Sequence, residues 1–307
     1  MKKLTKIISL ALALTMCFAL CACGSQSAAP AAEEAPAAAD AAPAEELDAL
    51  GQIKADGVLY VATSPDFAPM EFVDASKTGQ EQYVGFDIML AQYLADYIGV
   101  DLVIEPLSFD ACQAAVYTAS VPMSISGYSW TEDRAENYEL SDGYYAGENE
   151  TEQVLLVTAE NAEKYTAAED FAGLDVGAQI ASLQMQLLTA QIPDANPVTI
   201  GDINTGILEL KSGNIEALAV AIGNANAIIA SNPELVICDW QFDVSDQSDA
   251  NVIMITKGET ALLDVVNEAL AKAYADGLYG EWYEEALALS LLDSAEEVTV
   301  EDAAAEG

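Results

Sequence analysis

The chain has no histidine and a single arginine, Arg134. Its 10 Lys plus Arg stand against 51 Asp plus Glu, for a formal net charge of −41 over 307 residues. Without His, neither a Ser-His-Asp or Cys-His nucleophile system nor an imidazole zinc site can be assembled. Without a basic face, phosphate backbones are repelled, which excludes nucleic acid as a partner. The acidity has no Asp-x-Asp-x-Asp-Gly loop behind it, so it does not read as a calcium module, and no other metal or cofactor motif is present. Cysteine is scarce as well. Cys17, Cys21 and Cys23 crowd the start, and only Cys112 and Cys238 lie beyond them. Two thiols so far apart give no disulfide framework, and both are expected to be small, buried and apolar. The apolar run over residues 7–20, broken by Ser9, Thr15 and Cys17, falls short of the ~20 residues that cross a bilayer.

What is present begins with that run. Lys2, Lys3 and Lys6 precede it, which is the pattern of a secretory signal. It ends in Leu20-Cys21-Ala22-Cys23-Gly24, which resembles a bacterial lipobox and makes Cys23 the expected lipid-modified residue. Residues 1–22 are then the signal peptide. Residues 23–50, almost all Ala, Pro, Glu and Ser to about residue 47, are a disordered tether. The remainder, in a chain 52% hydrophobic, is too apolar for an acidic disordered tail.

From Gly57 onward short apolar runs alternate with helical stripes. Strands are expected over residues 58–63, 102–104, 121–126, 154–157, 176–179, 198–200, 215–221, 235–238 and 252–256. Helices are expected over 86–98, 110–119, 182–191, 203–211, 224–230, 259–275 and 278–289, with a short one capped by Thr131. This alternation implies an α/β architecture with mostly parallel sheets.

Several segments, in order, resemble the family 3 solute-binding proteins of bacterial ABC importers for polar amino acids. They include Thr63-Ser64-Pro65-Asp66-Phe67-Ala68-Pro69-Met70-Glu71-Phe72, Val84-Gly85-Phe86-Asp87 and Leu107-Ser108-Phe109-Asp110. Most telling is Ser126-Gly127-Tyr128-Ser129-Trp130-Thr131-Glu132-Asp133-Arg134, with Lys211-Ser212-Gly213-Asn214 and Ala275-Asp276-Gly277 downstream. The resemblance implies a type 2 periplasmic-binding-protein fold: two α/β lobes joined by two hinge strands. Lobe 1 takes residues 51–147 and 251–290, lobe 2 takes 148–250, and 291–307 form an acidic tail. It also implies partners: an amino acid or related small carboxylate, an ABC permease and ATPase, and the membrane, reached through a lipid anchor such as palmitate on the extracytoplasmic face. No cofactor is implied.

A lone guanidinium in so acidic a chain matches a carboxylate bidentately, and the resemblance gives Arg134 the ligand's α-carboxylate. Ser129 adds an N–H and a hydroxyl, and Gly127 a carbonyl toward the ligand's amine. In the other lobe, Ala181-Ser182-Leu183 stand where the family has Gly-Thr-Thr, and Ser182 can still cap a helix whose N–H groups face an anion. Phe67 and Phe109 fit either a ligand sandwich or the lobe core. Trp130 walls the pocket, with Tyr128 and Tyr145 as weaker candidates. The family's acid for the α-ammonium is replaced by Ala221, which leaves Asn224, backbone carbonyls, Glu71 or Glu148 for that contact. The alternative reading is a cyclohexadienyl-dehydratase-like enzyme on the same fold, with Glu71 and Asp110 as its acid and base.

Overall fold

In the computed structural model, which describes residues 47–145, 152–247 and 250–305, the Asp48 side chain accepts from Gly51 N and starts a helix inside the stretch read as tether. This is α1, Ala49–Asp56. The chain then runs through β1 (Val58–Thr63), β2 (Asp66–Phe67), β3 (Glu71–Val73), β4 (Tyr83–Val84), α2 (Phe86–Ile98), β5 (Asp101–Pro106), α3 (Phe109–Tyr117), β6 (Met123–Ser129), α4 (Glu132–Asn137) and β7 (Glu139–Leu140). A second set follows: β8 (Gln153–Thr158), β9 (Asp175–Gln179), α5 (Leu183–Gln191), β10 (Asn196–Ile200), α6 (Ile203–Lys211), β11 (Ala217–Ala221), α7 (Ile222–Ser231) and β12 (Leu235–Gln241). β13 (Asn251–Ile255), α8 (Thr260–Ala275) and α9 (Leu278–Ala305) complete it. Helix α9 continues through the segment read as an acidic tail. That segment has no Gly or Pro before Gly307, and its Ala and Glu are strong helix formers.

Two five-stranded sheets result, ordered β5-β1-β6-β13-β7 and β10-β9-β11-β8-β12. Each is buried on both faces by alternation along its strands. Val252 and Met254 of β13 enter one apolar cluster while Ile253 and Ile255 enter another. In β8, Val154 and Leu156 likewise face away from Leu155 and Val157. Each fully buried aliphatic side chain of this kind contributes ~1.5–3 kcal/mol. The sheets are mixed rather than mostly parallel. β1 pairs parallel with β5 and β6, and β9 parallel with β10 and β11. β13 runs antiparallel to β6, and β8 to β11. The reason lies in how the chain arrives. β8 and β13 are entered from the other lobe rather than through a helical crossover, which is what imposes parallel pairing.

The chain crosses between the two sheets twice, after Tyr145 and again before β13. Lobe 1 therefore holds α1–α4, β1–β7, β13, α8 and α9, and lobe 2 holds β8–β12 and α5–α7. Cys112 and Cys238 are free and buried, one in each lobe, as their sequence context suggests. Burial pushes the Cys112 thiol up to about 12.

Candidate functional site

The carboxyl ends of buried strands in the two lobes face each other, the usual place for a ligand crevice in open α/β sheets. β6 ends at Ser129 and turns into α4, whose cap is Thr131: its hydroxyl accepts from Arg134 N at 3.2 Å. That turn swings Arg134 inward. Its side chain is 4% exposed and its guanidinium lies 5.2 Å from the Tyr128 ring centroid and 5.7 Å from that of Phe109. Nη1 donates to Ser129 O at 2.6 Å, and Nη2 reaches across to lobe 2, donating to Ala181 O at 3.1 Å. Arg134 is thus a buried group facing the other lobe.

The facing wall is the start of α5. The Ser182 hydroxyl accepts from Met185 N at 3.1 Å, so the expected cap is present. Just before it, Ala181 sits at φ +61, the left-handed region that glycine adopts without a Cβ penalty. Alanine where the family has glycine therefore keeps the same turn at some backbone strain, and its carbonyl receives Arg134 and, at 3.3 Å, Gln113 Nε2.

Between these walls lies a narrow space of about 20 Å³, room for little more than one water molecule in this closed arrangement. It is lined by Phe67, Phe109, Gly127, Ser129, Arg134 and Ser182, all singled out from sequence, and by Ser126, Gln179, Leu183 and Gln184, which were not. Ser126 and Gln179 carry a recognisable signal: each is a polar residue in a buried strand, Ser126 at the middle of β6 and Gln179 at the end of β9. Gly127 adopts φ +54, and a Cβ there would meet the Phe67 ring at 2.8 Å. Its N–H donates to Asp87 Oδ2 at 2.8 Å.

Other expected residues lie elsewhere. Trp130 is 42% exposed and does not line this space. Tyr145 packs among Phe86, Tyr279 and Tyr283, while Tyr128 is core beneath Arg134 and bonds Ser124 Oγ. Asn224 lines a separate groove with Pro65, Ala68 and Ile228, where its Nδ2 donates to Ala68 O at 3.1 Å. Ala221 is buried at the start of α7. Asp110 lies in the first turn of α3 and accepts from the Ser108 hydroxyl, but the cap position itself is Ser108. Cys23 and Glu148 lie outside the described residues.

Behind the lining sits a group of buried carboxyls. The Ser126 hydroxyl donates to Glu71 Oε1 at 2.7 Å, and beside Glu71 lies Asp87, which accepts from the Tyr144 hydroxyl. Burial, and after it the Asp87 charge, pushes the Glu71 carboxyl well above the carboxylate range. Burial moves Asp87 up to about 6. A third carboxyl, Asp66, accepts from Gln179 Nε2 at 2.9 Å. Asp66 and Asp87 place negative potential behind Ser126 and Gln179.

Among the described residues no helix is long and apolar enough to cross a membrane. A model of the bacterial extracellular solute-binding proteins, family 3, matches residues 59–288. The probable histidine-binding protein of Campylobacter jejuni is 26% identical over 235 residues, 76% of this chain and 86% of that protein. Among solved structures, an amino acid ABC transporter substrate-binding protein from Streptococcus pneumoniae bound to L-arginine is 30% identical. It aligns with 78% of this chain and 98% of its own, at a TM-score of 0.72. An ancestral amino-acid-binding protein, a precursor of cyclohexadienyl dehydratase, is 29% identical, covering 78% and 99%, at 0.66. The two-lobed α/β architecture implied by the resemblance is the one observed.

Proposed function

Because the chain belongs to the bacterial extracellular solute-binding proteins, family 3, we propose that it is the lipid-anchored substrate-binding protein of an ABC importer, closing its lobes on an amino acid and handing it to a permease. The observation that carries this reading is the buried guanidinium of Arg134 facing the capped N-terminus of α5 across a narrow cleft. A planar donor fork on one side and helix N–H groups on the other suit a carboxylate. Arg134 and Ser129 hold that group, Ser182 presents the α5 amides, and Phe67 and Phe109 flank the ligand. The acids behind Ser126 and Gln179 favour a cationic side chain, in keeping with relatives named for histidine and arginine. The reading is non-catalytic: Glu71, named in the dehydratase alternative, is bonded to Ser126 and 1% exposed, behind the lining rather than in it.

Thermal unfolding against a panel of amino acids and small carboxylates tests the reading. A ligand at 100-fold excess over its dissociation constant should stabilise by about 2.7 kcal/mol, which raises Tm by roughly 5–10 °C for a fold of this size. Arginine and histidine should exceed neutral amino acids. A panel with no stabiliser would sink the proposal.

Anchoring is tested separately. Cys23→Ala should abolish acylation and move the protein from the membrane fraction to the soluble one. Because a single acyl chain holds only marginally, the anchor must carry more than one. Unlipidated Cys23→Ala protein that stays on the membrane would overturn the assignment.

A further inference from the structure

Asp66 is on β2 of lobe 1, yet its carboxylate works mainly across the cleft. Oδ2 accepts from Ile203 N at 2.8 Å, the first amide of α6, and from Gln179 Nε2 at 2.9 Å, both in lobe 2. Oδ1 accepts from the Ser64 hydroxyl at 2.8 Å and so fixes the side chain to its own lobe. The residue is 8% exposed and lies between the narrow cleft, which Gln179 lines, and the larger groove of about 330 Å³, which Asp66 lines itself. Both donors leave when the lobes separate, and the carboxylate then meets water. The helix N-terminus is pinned from two directions, since Asp202 caps α6 from within by accepting from Thr205 N at 3.1 Å.

We propose that Asp66 is a proton-sensitive latch between the lobes, seating α6 and Gln179 of lobe 2 on lobe 1 and holding them more firmly once it takes up a proton. The proposal rests on lobe closure, which is part of the functional reading above, but not on the identity of the ligand.

The sign follows from what surrounds the carboxyl. Burial raises Asp66 from its ordinary 3.8 to about 6, with the Asp202 charge raising it further, against lowering by the Ile203 and Ser64 bonds. Glu71 faces it from β3, while Gln179 from β9 and Asn224 from α7 are uncharged. With the lobes apart the carboxyl is solvated and returns toward 3.8. A carboxyl whose value is higher closed than open favours closure most below the open value, and loses that contribution as pH rises through the closed value. Between pH 7.5 and pH 5 the closed-to-open ratio should therefore rise roughly tenfold. The hydrogen bonds that Glu71 and Asp87 accept from Ser126, Gly127 and Tyr144 all lie inside lobe 1, so Asp66 is the carboxyl of the group that loses partners when the lobes separate.

The test uses the full-length protein in detergent micelles with no amino acid added. Dyes on Tyr117→Cys in α3 and Leu208→Cys in α6, both 63% exposed, report the distance between lobes. Wild type should shift toward the short distance on going from pH 7.5 to pH 5. Asp66→Asn keeps an acceptor for Ile203 and Gln179 but cannot ionise, so at pH 7.5 it should already match wild type at pH 5 and show no shift between the two. Asp66→Ala, measured at pH 5 where no buried charge is being removed, leaves both donors unmet and should lower the closed-to-open ratio about fivefold or more. Should the alanine variant fail to fold, the asparagine profile decides alone. A wild-type ratio that does not move with pH, or a shift that Asp66→Asn reproduces in full, overturns the latch. An unchanged distance distribution in folded Asp66→Ala does the same. Failure of the amino-acid panel would instead count against the functional reading and leave this measurement intact.

Discussion

Arg134→Ala should weaken binding of the tightest amino acid in the panel by roughly 30-fold or more. Truncating one side of a buried charge pair costs ~2–5 kcal/mol, and each 1.4 kcal/mol is about tenfold. The site gives the loss no easy repair. The guanidinium lies over the adjacent Tyr128 and Phe109 rings and donates to the Ser129 and Ala181 carbonyls, and it is the one arginine in the sequence. Arg134→Lys should recover only part of the affinity, because an ammonium can neither present two parallel donors nor reach both carbonyls from one plane. Isothermal titration of both variants reads the effect, and their unfolding midpoints separate lost binding from lost folding. Wild-type affinity in Arg134→Ala would dismiss the carboxylate clamp.

Gly85→Ala should be the most damaging single methyl in lobe 1. Gly85 has φ +121, and a Cβ there would sit 2.3 Å from Met70 O and 2.9 Å from Pro69 O. Those oxygens cannot give way, because they receive the first amides of α2: Phe86 N donates to Pro69 O and Asp87 N to Met70 O. Backbone strain at such a φ costs on the order of 1–3 kcal/mol, and the clash adds to it. A total of about 3 kcal/mol or more lowers Tm by roughly 6–12 °C. Separating α2 from the segment that carries Glu71 also pulls apart the Glu71–Asp87 pair. Thermal unfolding measures this directly, and a midpoint within about 2 °C of wild type would contradict it.

The parts of the fold that sequence makes plain are those whose burial has a period. The stripe Phe86, Leu90 and Leu94, stopped by Gly99 at φ +88, marks α2 to the residue. So does the run from Ile203 to Leu210 in α6. β2, β3 and β4 are two or three residues long, too short for an alternation to show. α1 hides because the alanine- and glutamate-rich composition of the tether runs straight into it, and only the Asp48 cap marks the change. The site divides in the same way. Arg134, Ser129 and Ser182 are legible because each acts through its neighbours in the chain, by a cap or a turn. Asp66 is not, because its partners lie 113 and 137 residues away, and no local pattern records that distance. Trp130 misled for the opposite reason: adjacency to Ser129 places it near the cleft in sequence, while the end of β6 turns it toward solvent.

Helix α9 has a mechanical consequence of its own. It starts in lobe 1, packed on α2 and α8, and then leans on α7 of lobe 2, with Ser290 lining the same groove as Ala227 and Ser231. Two chain crossings alone would leave the second lobe free to swing like a door. A rigid rod fixed to the frame and touching the door behind the hinge acts as a fulcrum: α7 must slide along it while the lobe turns, so rotation and shear are coupled. The groove that Ala227, Ser231 and Ser290 line between α7 and α9 is therefore the surface along which that sliding takes place.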